Sequence, residues 1–191
     1  NNSGQLGNNS TTNSSVPVAV IASGVLAGKT VIAISAGDSH SMALCSDGTV
    51  ATWGSNFNGQ LGNNSTTNSS VPVAVATNGV LSGKAIIAIS AGGTHSMALC
   101  SDGSVATWGY NSYGQLGNNG TTSSSVPVAV NVSGVLAGKT VIAISAGTTF
   151  CLALCSDGIP TAWGWNGEGE LGNNSNMFST VPVAVTTSGV L

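Results

Sequence analysis

The stretch VIAISAGDSHSMALCSDGTVATWGSNFNGQLG (residues 31–62) decides the fold. VIAIS (31–35) is a short β-branched run that ends at Gly37. HSMALC (40–45) follows almost at once, and TVATWG (49–54) comes after the turn Ser46-Asp47-Gly48. Short runs of this composition, bounded by Gly and Asp-Gly, predict antiparallel hairpins. Asp tolerates the turn and Gly supplies positive φ. In HSMALC, Met42 and Leu44 point one way while Ser41, Ala43 and Cys45 point the other. Both faces are therefore apolar or small, as a sheet covered on both sides requires.

Outward from this core, a long polar stretch leads to VPVAV (71–75), where Pro72 predicts an edge strand. GVLAGK (24–29) is too short and glycine-rich for an amphipathic helix. Each unit offers four strands, and the fold class is all-β. The unit recurs every 55 residues: Trp53, Trp108 and Trp163 share one position, and Asp47, Asp102 and Asp157 another. Leu6, Leu61, Leu116 and Leu171, and likewise Pro17, Pro72, Pro127 and Pro182, repeat four times. A fixed period of this size marks a repeat array. The expected organisation is one array over 1–191, with units at about 31–75, 86–130 and 141–185 and an additional N-terminal outer strand at 16–20.

Charge is nearly absent: three Lys, no Arg, four Asp and two Glu, for a net charge of −3. Nucleic-acid binding needs clustered cations, so that class is excluded. No apolar run is long enough to span a bilayer. The chain opens in mid-motif without an initiator Met, which suggests a processed product or an excised piece. A surface of Asn, Ser, Thr and Gly suggests an extracellular or cell-surface protein. Cys45, Cys100 and Cys155 occupy one repeat position, and Cys151 lies four residues from Cys155 on a strand, about 13 Å away. That exceeds disulfide reach, so the cysteines read as small buried hydrophobes.

With these residues in place, the repeat strongly resembles that of the regulator of chromosome condensation family, which builds seven-bladed β-propellers. Gly37, His40, Ser41, Ala43, Leu44, Asp47, Gly48, Val50, Trp53, Gly54, Asn56, Gly59, Gln60, Leu61, Gly62 and Pro72 carry the resemblance, which covers essentially the whole chain. It implies four-stranded antiparallel blades: three full blades plus an extra outer strand, a partial propeller. It also implies that the repeated His is buried and hydrogen-bonded within its blade. Family functions range from exchange factors and ubiquitin ligases to a β-lactamase inhibitor and bacterial surface proteins, so the resemblance specifies fold far better than function.

Laid copy on copy, the repeat removes most candidate chemistry. His40 and His95 share a position that holds Phe150 in the third copy, which argues against a ligand or base. The repeated Asp residues sit in turns of different blades. No nucleophile triad, metal-spaced Cys/His group or phosphate loop is present. The expectation is a non-enzyme without cofactor or metal.

One loop is uneven. Residues 8–20 and 63–75 are identical, yet the loop after Trp-Gly reads SNFNG, YNSYG and WNGEG. Large amphipathic side chains on loops are favoured at interfaces, which makes Phe57, Tyr110, Tyr113, Trp165 and Glu168 the candidate protein-binding residues. A seven-bladed ring would need roughly twice this length, and joining two chains end to end would skip a set of three strands. The sequence therefore points to a non-enzymatic scaffold, extracellular and bacterial, that binds an unknown protein or copies of itself. A filament subunit stacked head to tail is the alternative. A small-GTPase exchange factor is more distant, since no repeat carries the insertion that branch uses.

Overall fold

The computed structural model describes residues 1–187. Twelve strands form three four-stranded antiparallel sheets, each paired in chain order. Blade 1 comprises β1 (Val31–Ala36), β2 (His40–Cys45), β3 (Val50–Gly54) and β4 (Ser69–Ala74). Blade 2 comprises β5 (Ile86–Ala91), β6 (His95–Cys100), β7 (Val105–Gly109) and β8 (Ser124–Ala129). Blade 3 comprises β9 (Val141–Ala146), β10 (Phe150–Cys155), β11 (Pro160–Gly164) and β12 (Ser179–Ala184). The chain is a partial propeller.

Blades stack through the alternation read in HSMALC. Met42, Leu44 and Val50 of blade 1 pack on the Ala98, Cys100, Ala106 and Trp108 side of blade 2. Met97, Leu99 and Val105 repeat this against Cys151, Ala153, Cys155 and Trp163 of blade 3. All four cysteines are buried and free, as their spacing predicts. Pro72 lies in the outermost strand, within a register irregularity between the Thr52–Val73 and Gly54–Ser69 pairs. The missing N–H is thus absorbed at an edge and a bulge together.

One expected element is absent. Residues 16–20 form no strand, and Val16 and Pro17 are exposed. They pair with no strand among the described residues. GVLAGK contributes only a 3-10 turn, Gly24–Leu26, repeated at Gly134–Leu136.

The sheets have two functional ends. At the turn end, each lysine meets the aspartate of its Ser-Asp-Gly turn: Lys29–Asp47 at 2.7 Å, Lys84–Asp102 at 3.0 Å and Lys139–Asp157 at 3.0 Å. At the opposite, loop end, the β1–β2 connection meets the loop after Trp-Gly, with Ser55 N–H donating to the Ser39 carbonyl at 2.8 Å. Tyr110 and Trp165 make the same bond to Thr94 and Thr149.

Candidate interaction surface

A strap between blades positions the uneven loops. The GQLGNN segments at 4–9, 59–64 and 114–119 lie on blades 1, 2 and 3, the second and third having left the blade before. Trp108 Nε1–H and Ser96 Oγ–H both donate to the Gln60 carbonyl, at 2.9 and 2.8 Å. Trp53 and Ser41 do so to Gln5, and Trp163 and the Cys151 thiol to Gln115. Gly62 lies so close over Trp108 that a Cβ there would stand 2.6 Å from the indole nitrogen. The loop of blade 2 therefore rests on the start of β12, where Asn119 N–H donates to the Thr180 carbonyl at 2.9 Å.

The histidines belong to this strap rather than to a reactive site. Because Ser96 Oγ gives its proton to Gln60, it accepts from His40 Nε2–H at 2.9 Å. His95 Nε2 meets Cys151 Sγ at 3.0 Å in the same way. Both bonds cross to the following blade, contrary to the within-blade bond that the family resemblance implies. The cause is that each His opens the second strand of its sheet, where that strand faces the next blade. Burial lowers the His40 pKa from 6.5 to about 4. Burial, then the nearby His40, lowers that of His95 to about 3. Burial also raises the Cys151 pKa well above its ordinary value, which keeps it a thiol and a poor nucleophile. No group of three His, Cys, Asp or Glu side chains with metal-binding geometry occurs among the described residues.

The aromatic candidates of blades 2 and 3 do meet. Tyr113 lies edge-on to Trp165, with ring centroids 4.6 Å apart and planes at 66°. Tyr110 and Phe178 flank Tyr113 at 6.2 and 6.5 Å, both also edge-to-face. Glu168 is exposed in the Trp165 loop. Phe57 stands apart on blade 1, 74% exposed. Phe178 and its exposed neighbour Met177 escaped the sequence reading, although the same comparison could have found them. They occupy the places of Thr67 and Asn68 in blade 1, and of Thr122 and Ser123 in blade 2.

These aromatics displace repeat hydrogen bonds. In blade 1 the Gln60 side-chain amide donates to Ser55 Oγ at 3.3 Å. Tyr110 replaces that serine in blade 2, and Gln115 Nε2 is buried without a partner. Asn56 N–H donates to Asn68 Oδ1 at 2.8 Å, and Asn111 N–H to Ser123 Oγ at 3.2 Å. Phe178 offers no acceptor to the equivalent Asn166. The junction of blades 1 and 2 has Asn58, Tyr110 and Ser123 where the next junction has Tyr113, Trp165 and Phe178.

Comparisons with known proteins agree with this architecture. The family model described as regulator of chromosome condensation (RCC1) repeat matches residues 1–44, 47–99 and 102–154. The ultraviolet-B receptor UVR8 of Arabidopsis thaliana is 31% identical over 185 residues, 97% of this chain and 40% of its own length. The E3 ubiquitin-protein ligase HERC2 of Homo sapiens is 34% identical over 144 residues, 75% of this chain and 3% of its own length. The chain thus spans well under half of these relatives. Among solved structures, Prp20p from Saccharomyces cerevisiae superposes with a TM-score of 0.73 at 22% identity, over 84% of this chain and 39% of that one. Human WBSCR16 gives a TM-score of 0.54 at 22% identity, over 85% and 54%. With its repeats matched by the family model and its blades stacked and strapped as described, the chain belongs to the regulator of chromosome condensation (RCC1) repeat family.

Proposed function

We propose that this chain is a non-enzymatic scaffold that binds a protein partner through Tyr110, Tyr113, Trp165 and Phe178, on the loop end between blades 2 and 3. One observation carries the reading: Tyr113, Trp165 and Phe178 gather at the junction of blades 2 and 3, Tyr110 stands beside Tyr113, and two repeat hydrogen bonds are given up. A buried donor left unpaired costs about 1–3 kcal/mol, so the substitutions work against folding and need another reason to persist. Half-buried Tyr and Trp supply large contact area at small entropic cost.

The test restores the blade 1 residues: Tyr110→Ser, Tyr113→Asn, Trp165→Ser and Phe178→Asn. Partners captured by the wild-type chain from its native proteome are expected to be lost by this folded variant and kept by Phe57→Ser. Unchanged capture by the fourfold variant would reject the site. The polar, nearly uncharged surface supports placing the chain outside the cell, which fractionation of the source cells tests.

The end faces favour self-association as a second reading. On blade 1, a concavity of about 530 Å³ is lined by Val20, Leu26, Val31, Ile34 and Trp53, and Ile34 is 80% exposed. At the other end, Leu154 lies exposed at the position equivalent to Leu44 and Leu99, which pack on the next blade. Light scattering that shows a monomer across a hundredfold concentration range would remove this reading.

A further inference from the structure

Deepening the binding reading, and resting on it, we infer that the partner presents a basic segment, with arginine or lysine side chains seated among Tyr110, Tyr113, Trp165 and Phe178. The charges of the chain fall into two groups. Those the repeat requires are paired: each of the three lysines meets its turn aspartate at the turn end. The remaining side-chain charges are Asp38, Glu168 and Glu170, all negative, all on the loop end, and all departures from the repeat. Asp38 stands where the other copies have Gly93 and Thr148.

Glu170 shows that the charge is surplus to folding. It replaces Gln60 and Gln115, whose side-chain oxygens accept from Asn58 N–H at 3.0 Å and Tyr113 N–H at 2.9 Å. Glu170 accepts from Glu168 N–H at 2.9 Å in the same manner. A glutamine would make that bond equally well, so the fold does not need the carboxylate. Glu168 takes the place of Asn58 and Tyr113, neither of which is charged. Both carboxylates share the loop that begins at Trp165, with no lysine at this end of the sheets. Aromatic faces attract cations through their quadrupole, and carboxylates on the same loop as Trp165 add a complementary potential that speeds encounter and excludes acidic partners. The same field repels nucleic acid. The chain's own lysines are engaged at the opposite end, so a second copy does not supply the cation.

The probe is a twelve-residue Gly-Ser peptide carrying four arginines, titrated into the whole chain, with the same peptide carrying four glutamates as control. Trp53, Trp108 and Trp163 are buried while Trp165 is half-exposed, so fluorescence changes report on the site. The arginine peptide is expected to bind and the glutamate peptide to fail. Affinity should fall about tenfold when Glu168→Gln and Glu170→Gln are combined, and again when salt is raised. Tyr113→Asn should weaken it comparably. Three results would overturn the inference: no binding of the arginine peptide, equal binding to the charge-neutralised variant, or binding indifferent to Tyr113→Asn, the mark of diffuse attraction. If the native partner is lost on aromatic replacement but kept by the Glu168→Gln, Glu170→Gln variant, the basic-segment inference fails while the binding site stands.

Discussion

Replacing His95 by Phe is expected to make the chain less sensitive to acid. The third copy already carries this residue: Phe150 lies over Gly147 as His95 lies over Gly92, both so close that a Cβ on the glycine would overlap the ring. Cys151 keeps the Gln115 carbonyl as partner for its thiol. The loss at neutral pH is therefore limited to one hydrogen bond, about 1 kcal/mol. Acid changes the balance. The folded-state pKa of His95 is lowered from 6.5 to about 3, so the unfolded chain takes up the proton first. Stability from the neutral ring is complete above 6.5 and is lost as pH falls towards 3. Each pH unit in that window is worth about 1.4 kcal/mol, so wild type forfeits about 3 kcal/mol by pH 4 through this residue. Carboxylates such as Asp47, held low by the Lys29 ammonium and the Thr49 amide, weaken the fold in acid as well. They do so equally in both proteins. Urea titrations followed by tryptophan fluorescence at pH 7 and pH 4 measure the difference. His95→Phe should shift in its own favour by about 3 kcal/mol between them, and parallel pH dependence of the two proteins would refute the reasoning.

Gly62→Ala should destabilise by about 2 kcal/mol more than Gly83→Ala, because both glycines have φ near +70° but only Gly62 faces an indole; equal urea midpoints would contradict the strap. Asn64 sits at φ +60°, so Asn64→Gly should leave the midpoint almost unchanged while Asn64→Ala lowers stability by about 1 kcal/mol. Amide exchange should be slowest in β6, which is buried along its length between blades 1 and 3, and faster exchange there than in β10 would argue against stacking as the source of stability. Tyr110→Ser should return a partner to Gln115 and raise stability by about 0.5–1.5 kcal/mol, read by thermal melts; a loss of that size would show the tyrosine to be packing.

Most of the architecture was legible because period 2 within strands and period 55 between blades both follow from what each residue must bury. HSMALC has apolar or small residues on both faces, and each face meets a different blade. Residues 16–20 misled because their sequence is identical to a strand that does form. Pairing needs a neighbour, which local sequence does not contain. The histidine bond went to the wrong blade for a related reason: the distance from His40 to Ser96 is set by stacking, not by strand pattern. Asp47 is repeat-locked in the sequence, yet its pairing with Lys29 becomes visible only when GVLAGK and the turn are brought to one end. Tyr110, Tyr113 and Trp165 were found by comparing copies in one loop. Met177 and Phe178 lie outside that loop, in the stretch leading into the outer strand, where polar Thr67 and Asn68 give no sign of a surface feature.

An array of near-identical units gives each departure an internal control. If the loop were free to vary without consequence, substitutions there should leave hydrogen bonding unchanged and scatter over both junctions. The changes instead concentrate at one junction and leave Gln115 Nε2 buried without a partner. Edge-to-face contact among four rings returns some of that loss, about 0.5–1.5 kcal/mol per pair, but it does not restore a partner to Gln115. It cannot account for Glu168 and Glu170, which pack against nothing that requires a charge, nor for Met177, 71% exposed beside Phe178. Aromatics that merely sealed a blade edge would be better served by neutral neighbours. The combination of exposed apolar area with surplus carboxylate is what a surface shaped by a cationic partner would carry, and it is why charge, more than aromatic content, separates a binding site from a patch of blade edge.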